Sequence, residues 1–194
     1  MRIIVGLGNP GRRYERTRHN VGFGVAAQLA GDLGTRFGPG PAGEAAEIAR
    51  TAIGGEQVVI ARPLTWMNHS GEAAARLGSA FGAVPGDWII VYDDVSLPLG
   101  TIRVRPSGRS AGQKGMESVI AALGTDALAR VRIGILGDRQ EADLADYVLE
   151  PFAPSEREIA EEMVVRGAEA ARTIVIEGID RAMNQFNRRE APTG

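Results

Sequence analysis

Apolar residues follow two different spacings, which alternate along the chain. Short apolar runs that stop at glycine, proline or acidic residues predict buried strands at 2–8, 87–92 and 131–136. Residues 101–105 alternate as a strand, and two segments flanking Gly54-Gly55 (47–53 and 57–62) predict a β-hairpin. Helical periodicity covers residues 20–33, 68–81, 114–123, 155–176 and 179–187. Strands alternating with helices predict an α/β fold with a mixed β-sheet flanked by helices.

Length and composition bound the domain organisation. The chain has 194 residues, 44% hydrophobic and 24% charged, which are globular proportions. The segment 38–46, rich in proline and glycine, is short for a domain linker and is interpreted as a loop. Residues 1–194 are therefore expected to form a single domain, with 187–194 as a frayed tail. The N-terminal apolar run is shorter than a secretion signal or membrane helix requires, which favours a cytoplasmic protein that does not contact a membrane.

Charge is segregated along the chain although the formal net charge is only −2. Residues 1–20 carry five arginines against one acid, and residues 101–132 carry six basic residues against two acids. Residues 138–162 hold nine acids and two arginines. Such segregation creates local potentials that a near-neutral total hides. Two interpretations stay open on charge alone, namely basic surfaces that meet an anionic partner and ordinary solvated stretches.

His19 is the leading candidate for acid–base chemistry. It precedes a predicted helix, whose N-terminus favours a neutral imidazole that can accept a proton. Asp93 ends a predicted buried strand and is the natural carboxylate to orient the ring, so that the pair could activate water as a general base. The alternative is that His19 is a surface or capping residue, which sequence separation cannot decide.

Other polar residues near these loops have two interpretations each. Asn9 and Asn68 offer amides to a substrate, but both positions also suit turns or helix caps. Trp66 and Met67 could line a site or pack in the core. Asp94 is interpreted as a solvated turn residue. Without cysteine, and with only two histidines, the chain lacks the usual zinc motifs, and no GxSxG nucleophile motif is present.

Three glycines match the dinucleotide-binding pattern GxGxxG after the first strand; they are Gly6, Gly8 and Gly11. This pattern should open directly into a helix, but Pro10 and a basic stretch intervene. The acid expected about 20 residues later should end a second strand, and Asp32 instead ends a helical pattern. A nicotinamide-dependent oxidoreductase is therefore a weak alternative.

Several segments together resemble the bacterial-type peptidyl-tRNA hydrolases. They are IVGLGNPGRRYERTRHNVGF (4–23), RPLTWMNHSGEA (62–73), VYDDVSLPLGTIRVR (91–105), GMESVIAALGT (115–125), VRIGI (131–135) and YVLEPFAPSE (147–156). They span nearly the whole chain in order, and GNPG followed by TRHN and then WMN is a specific combination. The resemblance implies a monomeric esterase without a cofactor or obligate protein partner. Its substrate would be peptidyl-tRNA, cleaved at the ester between the peptide and the terminal ribose.

The resemblance also implies residue roles. His19 would be the general base and Asp93 would hold it in its basic form. Asn9 would distinguish a blocked from a free amino group. The remaining implied contacts go to the peptidyl and terminal-adenosine end (Trp66, Met67, Asn68), to the tRNA end (Tyr14), and to the tRNA body (Arg103, Arg105, Arg132).

One departure from the family pattern matters for the site. The family usually has Gly-His-Asn-Gly where this chain has Gly112-Gln113-Lys114-Gly115. The family's asparagine binds substrate and positions water or the oxyanion. Lys114 could donate to an oxyanion but cannot accept from water, while Gln113 could supply an amide. A smaller departure is Leu136, where the family tends to have glycine. The altered pair motivates a further hypothesis, an RNA-binding relative that has lost catalysis.

Overall fold

The computed structural model describes residues 1–137 and 144–187. Within this part of the chain, seven strands form one mixed sheet in the order β2-β3-β4-β1-β5-β7-β6. The expected α/β fold with a mixed sheet is confirmed. The strands are β1 (Arg2–Gly6), β2 (Gly38–Gly40), β3 (Gly43–Ile53), β4 (Glu56–Pro63), β5 (Trp88–Pro98), β6 (Ile102–Arg105) and β7 (Ala129–Leu136).

Helices cover both faces of the sheet, which explains why its central strands are apolar on both sides. On one face, α1, α5 and α6 share a core with β-residues such as Ile4, Val91 and Ile133. On the other face, α2 and α3 pack on residues such as Ile3, Val5 and Ile90. The helices are α1 (Val21–Asp32), α2 (Ser70–Phe81), α3 (Lys114–Leu123), α4 (Leu144–Leu149), α5 (Arg157–Glu177) and α6 (Ile179–Phe186).

The parallel centre of the sheet gathers several loops at one edge. β1 pairs in parallel with β4 and β5, and β5 pairs in parallel with β7. The carboxyl ends of these four strands therefore point the same way, and the segments that follow them converge. Ligands of open α/β sheets bind at such an edge.

Gly6 in β1 and Gly22 in α1 allow these two elements to pack closely. A Cβ at Gly22 would lie 2.5 Å from the carbonyl oxygens of Leu7 and Val91, and a Cβ at Gly6 would collide with Gly22. The loop after β1 then enters a 3₁₀ turn at Arg12–Tyr14 rather than a helix. This packing accounts for Gly6 without a dinucleotide. A Cβ at Gly8 would collide with the Phe23 ring, and Gly11 adopts a positive φ of 101°.

Several sequence expectations were wrong in detail. Residues 38–46 are not simply a loop, because β2 and the start of β3 form an antiparallel pair there; an edge strand tolerates Pro39, whose missing N–H no partner requires. Strand β5 continues past Tyr92 to Pro98, and the long helix starts at Arg157 instead of residue 155. Helix α4 was not predicted. The expected tail beyond Asn187 and part of the acidic stretch (138–143) lie outside the described residues.

No helix in the described ranges has the length and apolarity needed to cross a membrane.

Candidate active site

A cavity of about 570 Å³ opens at the carboxyl edge of the sheet. Its lining comes from the loops after β1 and β4, from β5, from the turn before α3 and from α4. Eight of the twelve site residues expected from the sequence line this cavity, whereas Tyr14, Arg103, Arg105 and Arg132 do not. The lining includes Asn9, His19, Trp66, Met67, Asn68, Asp93, Gln113 and Lys114.

His19 and Asp93 form a direct pair at this cavity. His19 Nδ1 lies 2.7 Å from Asp93 Oδ2. Asp93 is 2% exposed and the His19 side chain is 13% exposed. Since the carboxylate can only accept, Nδ1 donates to it and Nε2 is the ring nitrogen left as the base. The arrangement can take a proton from water.

Asn9 is held by a second network beside the histidine. Asn20 follows His19 and clamps Asn9 through both backbone groups, accepting from its N–H at 2.8 Å and donating to its carbonyl at 2.9 Å. The Asn9 side-chain oxygen accepts from the Met67 N–H at 2.8 Å. Its amide nitrogen is consequently the polar group of Asn9 that can serve a ligand. The network fixes the loop carrying His19 against the loop after β4.

Gln113 lies deeper than the sequence suggested. Its Nε2 donates to Asp93 Oδ1 at 2.9 Å, while its Oε1 accepts from the Met116 N–H at 2.6 Å as the N-cap of α3. Asp93 thus receives one hydrogen bond on each carboxylate oxygen. Lys114 begins α3 at the cavity rim, where its exposed ammonium lies 3.1 Å from Glu117 Oε2.

Aromatic side chains mark the mouth of the cavity. Trp66 is 52% exposed, and its ring meets Tyr14 edge-on with centroids 5.7 Å apart. The Arg13 guanidinium lies 4.5 Å from the Tyr14 ring centroid. Asn68 is exposed in the same 3₁₀ turn as the buried Met67. This end of the cavity therefore offers flat apolar faces next to a cation.

The basic residues expected to face tRNA lie on β6 and β7. Arg103 and Arg132 are opposite each other in the antiparallel register, and both are partly exposed, as is Arg105. Arg132 Nε lies 2.5 Å from Asp94 Oδ2. Asp94 is buried by this pair and by hydrogen bonds from Ser96, so its interpretation as a solvated turn residue was wrong.

Tyr92 lies in the β5 register position opposite Arg132, with its side chain buried. Burial raises the pKa of its phenol above the ordinary value, while the cations of Arg130 and Arg132 oppose that shift. This phenol is accordingly neutral at physiological pH.

Sequence reasoning missed two structural supports of the site. Arg18 is buried beside His19, 2.8 Å from Glu156 and stacked 4.1 Å from the Tyr147 ring centroid. Helix α4 lines the cavity with Leu144, Val148 and Leu149. The one possible signal was the arginine in TRHN. Its burial beside aromatic rings, however, is not visible in the sequence alone.

Among the described residues, no cluster of three or more histidine, cysteine or acidic side chains could hold a metal ion.

Comparison with known proteins identifies the family. The family model described as peptidyl-tRNA hydrolase matches residues 3–193. The chain is similar to the peptidyl-tRNA hydrolase of Elusimicrobium minutum, 39% identical over 97% of this chain and 100% of the relative. It is 42% identical to that of Alkaliphilus metalliredigens, over 96% of this chain and 100% of the relative. The crystal structure of the Acinetobacter baumannii peptidyl-tRNA hydrolase matches with a TM-score of 0.89 and 28% identity, covering 98% of this chain and 96% of that one. The chain belongs to the peptidyl-tRNA hydrolase family.

Proposed function

We propose that this protein hydrolyses the ester that joins a peptide to the terminal ribose of tRNA, releasing tRNA from stalled translation. The observation that carries the proposal is the 2.7 Å contact between His19 and Asp93 at a cavity large enough for an acyl-ribose end. No metal or cofactor is needed for the steps proposed below.

In this mechanism, His19 acts as the general base. Asp93 accepts from Nδ1–H, so Nε2 takes a proton from a water molecule as the water oxygen attacks the ester carbonyl. The carbonyl π electrons move onto oxygen to form a tetrahedral oxyanion. Collapse of this oxyanion expels the ribose oxygen, which receives the proton from Nε2. The products are a peptide carboxylic acid, which ionises, and tRNA with a free terminal hydroxyl.

The substrate would be oriented by the polar and aromatic lining. We assign the Asn9 amide nitrogen to the acyl group next to the scissile ester, because its oxygen is already bonded to Met67. Asn68 and Trp66 would bind the peptidyl and terminal-adenosine end, with Met67 below them. Tyr14 would contact the tRNA end, where its ring meets Trp66.

The tRNA body would meet the basic strands next to the cavity. Arg103, Arg105 and Arg132 are partly exposed on β6 and β7, and arginine suits phosphate because it donates a planar pair of N–H bonds. Neutralising phosphates makes binding salt-dependent. This surface belongs to the same proposal as the catalytic pair, since Arg132 is bound to Asp94, which lines the cavity.

The proposal also covers the state in which the protein acts. Residues 1–194 would work as a single domain and a monomer without an obligate protein partner. The reaction would take place in the cytoplasm, where tRNA is used.

The test is release of the acyl group from N-acetyl-aminoacyl-tRNA by purified protein. We expect turnover by the wild type and a loss of kcat of about 10²–10⁴-fold in His19→Ala. His69→Ala is the matched control, because His69 is exposed and outside the cavity lining. Full activity of His19→Ala would refute the mechanism. Binding of tRNA without turnover by the wild type would instead support the hypothesis of an RNA-binding relative that has lost catalysis.

A further inference from the structure

We propose that Gln113 is a positioning residue that holds the Asp93 carboxylate for His19, a role different from the substrate contact expected at this place in the chain. The inference deepens the proposed function and rests on it. Asp93 has two oxygens, of which one serves His19 and the other accepts from Gln113.

Gln113 is itself fixed at its other end. Its Oε1 accepts from the Met116 N–H in the first turn of α3, so the amide cannot rotate without uncapping the helix. This bond also settles which end of the amide faces Asp93, because Oε1 must accept from the N–H and Nε2 must donate. Its N–H therefore reaches the carboxylate from a rigid helix terminus, and the Asp93 plane is set from two directions.

No charged side chain in the described lining of the cavity bonds to Asp93 Oδ1, so holding this oxygen is left to Gln113. Four titratable residues line the cavity within the described chain, namely His19, Asp93, Asp94 and Lys114. Asp94 is bound by Arg132, and the Lys114 ammonium lies beside Glu117 on the exposed side of α3. The remaining donor at Asp93 Oδ1 is therefore the Gln113 amide.

This hydrogen bond has a consequence for the base. The N–H from Gln113 restricts rotation of the Asp93 carboxylate. Removing the donor frees that rotation. Fewer His19 rings are then held with Nε2 toward the substrate. The defect falls on kcat, since Gln113 contacts protein at both ends of its amide.

The experiment compares two variants with a matched control. Gln113→Ser keeps a side-chain oxygen that can cap α3 but cannot reach Asp93. Gln113→Glu keeps the length and the capping oxygen but replaces the donor by an acceptor facing Asp93. Gln57→Ser is the control, because Gln57 is exposed at the start of β4, away from the carboxyl edge of the sheet. Melting temperature is measured for each protein, and kcat and KM are measured separately with N-acetyl-aminoacyl-tRNA.

We expect Gln113→Ser to keep its melting temperature and KM while kcat falls about tenfold, the scale of one hydrogen bond to a charged group. Gln113→Glu loses more, since two carboxylates then face each other, and Gln57→Ser matches the wild type. A wild type that does not hydrolyse N-acetyl-aminoacyl-tRNA would overturn the proposed function itself. If the wild type is active, a Gln113→Ser enzyme that keeps wild-type kcat, or one whose KM rises instead, would overturn this inference. A Gln113→Glu enzyme with wild-type kcat would overturn it as well.

Discussion

The floor and the rim of the cavity are built differently. The floor consists of Asn9, His19, Asp93 and Gln113. Asp93 is hydrogen-bonded to both His19 and Gln113, and the Asn9 side chain accepts from the Met67 backbone, with distances of 2.7–2.9 Å. The rim consists of Tyr14, Trp66, Asn68 and Lys114, which lie on the outer side of the same loops and are partly or fully exposed.

Under the proposed function, this difference would assign the chemistry to the floor and substrate binding to the rim. A floor residue cannot change its position without breaking a partner's hydrogen bond, so its contribution is to geometry that exists before substrate arrives. A rim residue gains most of its contacts only when substrate covers it. Substitutions on the floor should therefore lower kcat, and substitutions on the rim should raise KM.

The largest effect is expected for Asp93→Asn. The amide can no longer fix Nδ1–H on His19, so the ring loses its catalytic tautomer and kcat falls about 10³–10⁴-fold. Steady-state hydrolysis of N-acetyl-aminoacyl-tRNA measures this, and Asp180→Asn in α6 is the matched exposed control. A variant with unchanged KM and less than a tenfold loss of kcat would place the floor's chemistry elsewhere.

Arg18→Met tests the support beneath the floor. Arg18 is buried against Glu156 and Tyr147, and its removal leaves Glu156 without that buried partner. We expect the free energy of unfolding in urea to drop by about 3 kcal/mol. Arg181→Met, which breaks an exposed pair between α6 and Glu177 at the end of α5, should cost less than about 0.5 kcal/mol. Equal losses in the two variants would show that burial adds nothing at Arg18.

Trp66→Ala tests the rim. A base stacked on an aromatic ring is worth about 1–3 kcal/mol, so KM should rise about tenfold or more while kcat stays within about twofold. Phe81, which is aromatic but lies at the end of α2 away from the cavity, provides the comparison through Phe81→Leu. A fall in kcat with unchanged KM would show that Trp66 contributes to the chemical step and not to substrate binding.

Lys114→Ala carries the smallest expected effect. The ammonium is exposed and next to Glu117, and we expect kcat and KM to stay within about twofold of the wild type. Initial rates across substrate concentration decide it, with Arg76→Ala as the control for loss of an exposed helical ion pair. A tenfold or greater loss of kcat would assign Lys114 to the oxyanion.

Much of this architecture was predictable because its signals are local. The apolar run 87–92 and the periodicity of 114–123 specify their elements directly, and the order of strands and helices specifies the class of fold. Strand β2 was missed because Gly38–Gly40 carries no apolar alternation and exists through pairing with β3. Helix α4 was missed because it is only six residues long and stands within the acidic stretch.

The sequence predicted several residues that line the cavity, but not the hydrogen bonds that they make with one another. His19, Asp93, Asn9 and Asn68 do line one cavity, as the loop order suggested. The link from Gln113 to Asp93 spans 20 residues and depends on the turn that ends at the N-cap of α3. Asp94 was misjudged for a related reason, since its partner Arg132 comes from a strand 38 residues later. Such pairings depend on three-dimensional register, which residue type alone does not encode.

The close approach of Gly22 to Leu7 and Val91 couples the packing of α1 on the sheet to the position of His19. Gly22 is the second residue of α1, three positions after His19. The backbones of Leu7, directly after β1, and of Val91 in β5 leave no space for a methyl group there. Any larger residue would push the start of α1 away from the sheet and displace the His19 imidazole. We therefore expect substitutions at Gly22 to lower activity as substitutions of a site residue would, although Gly22 does not line the cavity.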